Sequence, residues 1–175
     1  MFWDEFGFSF QEKLAPTWAR KGKRPVFKRV TYDRRALSTA VALTLSGKIY
    51  KRHFEGAMRS EQTIQVLQHL QRHIPGRIIL IWDRARIHTS KKVKGYLVNH
   101  PEIQVELLPA YAPELNPEEY CHGNIKQHLG NAQPSNKQEI RAMLDRGFAR
   151  LRRRPDLLLG FFHAAKFPVR QLKLR

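Results

Sequence analysis

The chain has 175 residues, with 32 Lys and Arg against 15 Asp and Glu, a formal net charge of +17 and 42% apolar residues. That length predicts one domain spanning residues 1–175, and the apolar share suffices to bury roughly two-thirds of the unfolded chain's surface, which excludes intrinsic disorder. The single cysteine, Cys121, excludes an internal disulfide framework and points to a reducing cytoplasm. The longest apolar run is only Ile78–Trp82, against about 20 residues for a membrane-spanning helix, so no membrane partner is expected. The opening Met-Phe-Trp-Asp-Glu carries two carboxylates where a secretory peptide has a basic start.

A strongly basic chain calls for a polyanionic partner that relieves its self-repulsion, and DNA or RNA is the leading candidate. The charge is clustered, with eight basic residues from Arg20 to Arg35 and nine from Arg146 to Arg175.

In chain order, Phe2-Trp3-Asp4 and Phe6 to Phe10 read as a strand and its continuation. Ala36 to Leu45, a turn at Ser46-Gly47 and Lys48 to Phe54 predict a hairpin. Ser60 is placed to cap a helix carrying Ile64, Leu67, Leu70 and Ile74 on one face, ended by Pro75-Gly76. Arg77 to Trp82 reads as a buried central strand. A helix with Val93, Tyr96 and Leu97 inward follows Thr89-Ser90, then a strand over Ile103 to Leu108. Asn116 and Pro117 have the character of a cap and a first helical residue. Ser135 to Gln138 fits a capping box ahead of a helix with Ile140, Met143, Leu144, Phe148 and Leu151 inward. A hairpin-led set of strands followed by alternating helices and strands predicts a mixed α/β sheet flanked by helices.

The glycines match no dinucleotide or phosphate-loop fingerprint, and there is no Gly-x-Ser-x-Gly elbow, which disfavours nucleotide cofactors and serine hydrolysis. The informative feature is where the scarce carboxylates fall. Asp4 lies in the first strand, Asp83 follows the most apolar strand, and Glu118-Glu119 opens a helix after a Pro-rich loop. Three carboxylates converging from such positions form an oxygen ligand set suited to two Mg²⁺ or Mn²⁺ ions, which can hold a scissile phosphate between them. A basic protein with an acidic pocket therefore reads as a nuclease or polynucleotidyl transferase.

Three segments carry a resemblance: Phe2 to Phe8, Ile81-Trp82-Asp83-Arg84-Ala85-Arg86-Ile87-His88, and Leu108-Pro109-Ala110-Tyr111-Ala112-Pro113-Glu114-Leu115-Asn116-Pro117-Glu118-Glu119. They resemble the catalytic blocks of mariner-type insertion-sequence transposases, the DDE superfamily endonucleases, and the likeness continues through Thr17 to Gly22, Phe54-Glu55-Gly56 and Ile125-Lys126. The resemblance implies a ribonuclease H-like fold, metal-dependent cleavage at transposon ends, and attack of the freed 3′ hydroxyl on target DNA. It implies Asp4, Asp83 and Glu119 as catalytic and metal-binding acids. Glu118 is the rival third acid: the interval from Asp83 favours it, whereas the Asn-Pro-x-Glu pattern favours Glu119. The chain departs from the family pattern with Arg84 where Asn is common and His122 where Trp is common. Longer relatives carry a helix-turn-helix module ahead of this region and only three residues precede Asp4 here, which leaves three readings open: a split-frame product with a companion helix-turn-helix chain, a truncated remnant, or an excised catalytic domain. The resemblance further implies a homodimer at synapsis and a bacterial, nucleoid-associated location.

Arg84, Arg86, Lys91, Lys92 and Lys126 are candidate DNA-phosphate ligands, and His88, at the place of the family's histidine, is a candidate phosphate or water contact. Trp18 and Tyr111 are expected to pack rather than stack on bases. His69 and His73 share a helical face without the Glu of a metalloprotease, and Cys121-His122 lacks a second ligand pair for structural zinc. Two alternatives remain: a non-catalytic DNA-binding remnant of a transposase, and another ribonuclease H-like nuclease.

Overall fold

The computed structural model describes residues 1–10, 16–26 and 37–170. The expected strand start at Ala36, the basic residues from 27 to 35 and those from 171 to 175 lie outside the described residues. Five strands form one sheet in the order β3-β2-β1-β4-β5: β1 (Phe2–Phe8), β2 (Leu37–Leu43), β3 (Ile49–Glu55), β4 (Ile78–Trp82) and β5 (Ile103–Leu107). β1 pairs antiparallel with β2 and parallel with β4; β2 and β3 are antiparallel, β4 and β5 parallel. The β2–β3 hairpin turns at Ser46-Gly47, where Gly47 has a φ of 74° that a side chain would disfavour.

The helices are α1 (Ser60–His73), α2 (Lys91–Val98), α3 (Pro117–His128), α4 (Lys137–Arg152) and α5 (Pro155–Ala164). They make two layers, each with its own core. On one face of the sheet Trp3, Leu80 and Trp82 pack with Val66, Leu67 and Leu70 of α1 and Val93 of α2. On the other, Phe2, Phe6, Phe8 and Val41 pack with Ile125 of α3, Leu144 and Phe148 of α4, and Phe161 and Phe162 of α5. The pleat of β1 therefore sends Trp3 to one layer and Phe2 and Phe6 to the other.

The structure differs from the sequence-based expectations at several places. The centre of the sheet is β1, not the Arg77 to Trp82 strand. In β4, Ile78, Leu80 and Trp82 are buried but Ile79 is 55% exposed, because the α3–α5 layer stops short of it. The first helix begins one residue earlier than a Ser60 cap implies: Arg59 is the cap, and its N–H donates to Gln62 Oε1. The second capping box is likewise shifted, since Asn136 Oδ1 accepts from Glu139 N–H while the Glu139 carboxylate accepts from Ser135 N–H. Helix α5, with Pro155 at its first position and Asp156 in its first turn, is an element that the apolar period does not reveal. No helix among the described residues is long and apolar enough to cross a membrane.

Candidate active site

Asp4, Asp83 and Glu119 line one cleft of about 480 Å³ with Arg84, Asn116 and the Leu108–Pro113 loop. Each acid comes from a different element. Asp4 is mid-β1, on the face that carries Phe2 and Phe6, so its carboxylate points to the α3 layer. Asp83 directly follows β4 and has one oxygen, Oδ1, that accepts from Ala85 N–H at 2.9 Å and pairs with His88 Nδ1 at 2.8 Å. Glu119 sits in the first turn of α3 and is exposed to the cleft.

Asn116 connects helix and strand. It is 2% exposed; its Oδ1 accepts from Glu118 N–H as the α3 cap, and its Nδ2 donates to Asp4 Oδ2 at 3.0 Å. Glu5 N–H donates to the other Asp4 oxygen. Burial, then the charges of Glu119 and Glu5, push the Asp4 carboxyl up to about 8. A carboxyl held that far above its usual range has a strong demand for a compensating positive charge or a proton.

The two adjacent glutamates of α3 part company. Glu119 faces the cleft; Glu118 is fully buried, its carboxyl beside the Cys121 thiol and the His122 ring. Burial and then the Asp4 charge raise the Glu118 carboxyl well above its ordinary range. Its neighbours include the buried Cys121 thiol, also pushed up by burial. One oxygen of Asp4, one of Glu119 and one ring nitrogen of His122 lie within 4.8 Å of one another, the one group of metal-capable residues found among the described residues. His122 is buried and neutral, its pKa lowered by desolvation, then by Lys126, to about 3.

His88 is not a surface contact. Its side chain is fully buried, stacked on Trp82 with ring centroids 4.5 Å apart and planes 3° apart, with Trp3 on another side at 5.2 Å. Nδ1 meets Asp83 and Nε2 meets Glu5 Oε2 at 3.0 Å. Burial acts to lower the imidazolium pKa, but the bonds to Asp83 and Glu5 outweigh it and lift it to about 9, while the same His88 bond holds the Asp83 carboxyl low. With both nitrogens engaged and its side chain fully buried, the His88 ring cannot reach a DNA phosphate, which corrects that expectation; it braces Asp83 against β1.

Arg84, Arg86, Lys91, Lys92 and Lys126 are all exposed. Arg84 lines the cleft, Lys92 is paired with Glu61, and Lys126 lies 5.7 Å from the Phe6 ring centroid. Packing was the wrong expectation for Trp18 and Tyr111, which are 100% and 102% exposed. Tyr111 stands on the cleft loop with a φ of 57°, unusual for a residue with a side chain. His69 and His73 face each other at 4.1 Å with His73 Nδ1 bonded to the His69 carbonyl, and among the described residues no acid joins them in a metal-capable group. The residues that sequence reasoning missed are Asn116 as the Asp4 partner, Glu5 as the His88 partner, and His122. Only His122 left a sequence signal, its three-residue spacing from Glu119.

Comparison with known proteins agrees with this fold. A family model for DDE superfamily endonucleases matches residues 1–141. Among solved structures, the chain is similar to the Mos1 mariner transposase paired-end complex with Mn, at 21% identity and a TM-score of 0.68 over 94% of this chain and 53% of that one. It is also similar to the Mos1 paired-end complex with left transposon end, at 20% identity and a TM-score of 0.63 over 95% and 55%. A third likeness is to the Mos1 transposase catalytic domain with Raltegravir and Mn, at 20% identity and a TM-score of 0.61 over 94% and 81%. These likenesses establish a ribonuclease H-like α/β fold, and the chain spans about half the length of the Mos1 chains in the paired-end complexes. A search of curated proteins gives no match. Since the family match runs through all three acidic segments and into α4, the chain belongs to the DDE superfamily endonucleases.

Proposed function

We propose that the whole chain acts as the catalytic domain of an insertion-sequence transposase, a divalent-metal-dependent DNA endonuclease and strand-transfer enzyme. The observation that carries the reading is the convergence of Asp4, Asp83 and Glu119, from three separate elements, on one cleft in a protein of net charge +17. The donor set fits hard divalent cations: oxygen ligands dominate, and the crowding that raises Asp4 to about 8 is relieved by positive charge. Asp4, Asp83 and Glu119 would hold two Mg²⁺ or Mn²⁺ ions. Such ions, when bound, activate the attacking oxygen and stabilise the leaving oxygen at a phosphodiester.

The protein's own contribution is positioning. Asn116 orients Asp4, His88 fixes the rotamer of Asp83, and the α3 cap presents Glu119. Arg84 and Arg86 beside Asp83, with Lys91 and Lys126, neutralise phosphates flanking the scissile bond. Glu119, not Glu118, is the third acid, because Glu118 is sealed in the core. Transposon-end and target DNA are the substrates, with end recognition supplied by a helix-turn-helix segment and two copies pairing the ends at synapsis, in a bacterial cytoplasm on the nucleoid.

The test is cleavage of a labelled duplex carrying candidate inverted repeats. Nicking that requires Mg²⁺ or Mn²⁺ and falls at least about 1,000-fold in Asp83→Asn, with DNA binding retained, is the expected result. Cleavage without divalent metal, or an active Asp83→Asn, contradicts the reading.

A further inference from the structure

We propose that His122 is a metal ligand, completing with Asp4 and Glu119 a mixed nitrogen and oxygen site that prefers Mn²⁺ to Mg²⁺. The proposal rests on the reading of Asp4 and Glu119 as metal-binding acids and adds a residue that the three-acid description leaves out.

Glu119-Tyr120-Cys121-His122 puts a carboxylate and an imidazole three residues apart on α3, one turn along the same face. That Glu-x-x-His spacing is the one helical di-iron and di-manganese carboxylate proteins use to aim two ligands at one centre. Here it aims them at β1: a His122 nitrogen and oxygens of Asp4 and Glu119 lie within 4.8 Å of one another. Ligands on opposite sides of one six-coordinate ion lie roughly 4.2 Å apart when bonds are about 2.1 Å, so a small side-chain adjustment brings all three into reach of one cation.

A second observation points the same way. His122 is 4% exposed and its Nε2 has no hydrogen-bond partner among the described residues. Nε2 stands 3.3 Å from Glu118 Oε2, misaligned for a hydrogen bond. Buried polar atoms left in this way are costly, and a cation on the ring offsets that cost. Phe6 packs against the ring, with centroids 4.4 Å apart, and so fixes its orientation. Mg²⁺ is confined to oxygen ligands and near-ideal octahedral geometry, whereas Mn²⁺ tolerates imidazole, so the nitrogen sets the preference.

The experiment is pulsed electron paramagnetic resonance of Mn²⁺ added to the metal-free full chain, with Mn²⁺ and Mg²⁺ affinities measured by titration and competition. The wild type is expected to show ¹⁴N coupling from a directly bound imidazole. His122→Phe, which keeps the ring packing on Phe6, is expected to lose that coupling and weaken Mn²⁺ binding by at least about tenfold, with Mg²⁺ affinity changed less than about threefold. Mn²⁺ bound through Asp4 and Glu119, as Asp4→Asn and Glu119→Gln would show by abolishing it, but without ¹⁴N coupling overturns the role of His122 and leaves the three-acid site standing. Mn²⁺ binding indifferent to Asp4→Asn and Glu119→Gln overturns both. The wild-type spectrum decides the matter even if His122→Phe fails to fold.

Discussion

At the scale of single residues, the most consequential is one that does no chemistry. His88 lies 83 residues from Glu5 in sequence, yet its ring bridges Glu5 and Asp83 and is clamped by Trp3 and Trp82. A histidine whose folded pKa is about 9, above the ordinary 6.5, contributes stability in full below pH 6.5 and loses it as pH rises through 9. Urea unfolding with chelator present is therefore predicted to show wild type exceeding His88→Gln by more at pH 6 than at pH 9.5, the difference changing by up to about 3 kcal/mol. An advantage that is equal at both pH values contradicts the buried imidazolium. That Asp4, Asp83 and Glu119 would line one cleft was legible because carboxylates are scarce in this chain and these stand in recognisable words. The roles of His88, Glu5 and Asn116 were not, since each depends on a contact between residues 83 or 112 positions apart that no local pattern encodes.

At the scale of elements, α3 is the part whose placement matters most, because its first turn carries Glu119 and its cap holds Asp4. Asn116→Ala removes both the cap and the bond to Asp4, and is expected to cost roughly 1–2 kcal/mol in chemical denaturation. Asn116→Ser, which can still cap but is too short to reach Asp4 Oδ2, is expected to recover most of that stability while metal affinity stays reduced. Equal metal affinity in Asn116→Ser and wild type would remove Asn116 from the site. The sequence located α1, α2 and α4 from their apolar period, α3 from its Asn116-Pro117 start, and the strands from apolar runs bounded by turn residues. It missed α5, whose Leu158, Phe161 and Phe162 fill the core through a short helix of high mean hydropathy. It also overstated the burial of β4: an Ile-Ile-Leu-Ile-Trp run looks identical whether a helix covers both faces or leaves Ile79 open. Cap positions slipped by one residue at α1 and α4 because neighbouring Arg59-Ser60 and Ser135-Asn136 offer competing solutions.

At the scale of the whole molecule, a chain of net charge +17 carries a cleft lined by carboxylates. The surface draws in DNA without reading it, and the acids take no part in that attraction unless metal neutralises them. Changing Arg86, Lys91 and Lys126 together to Gln is predicted to flatten the slope of log affinity against log salt by about 0.9 for each phosphate no longer neutralised, so by nearly 3, in a fluorescence anisotropy titration. An unchanged slope would move the DNA path to another face. The most direct measurement of the central claim is anomalous diffraction from a crystal soaked in Mn²⁺. The account predicts anomalous density in the cleft bounded by Asp4, Asp83 and Glu119, absent in Asp4→Asn; manganese bound only elsewhere, with the three acids unliganded, would contradict it.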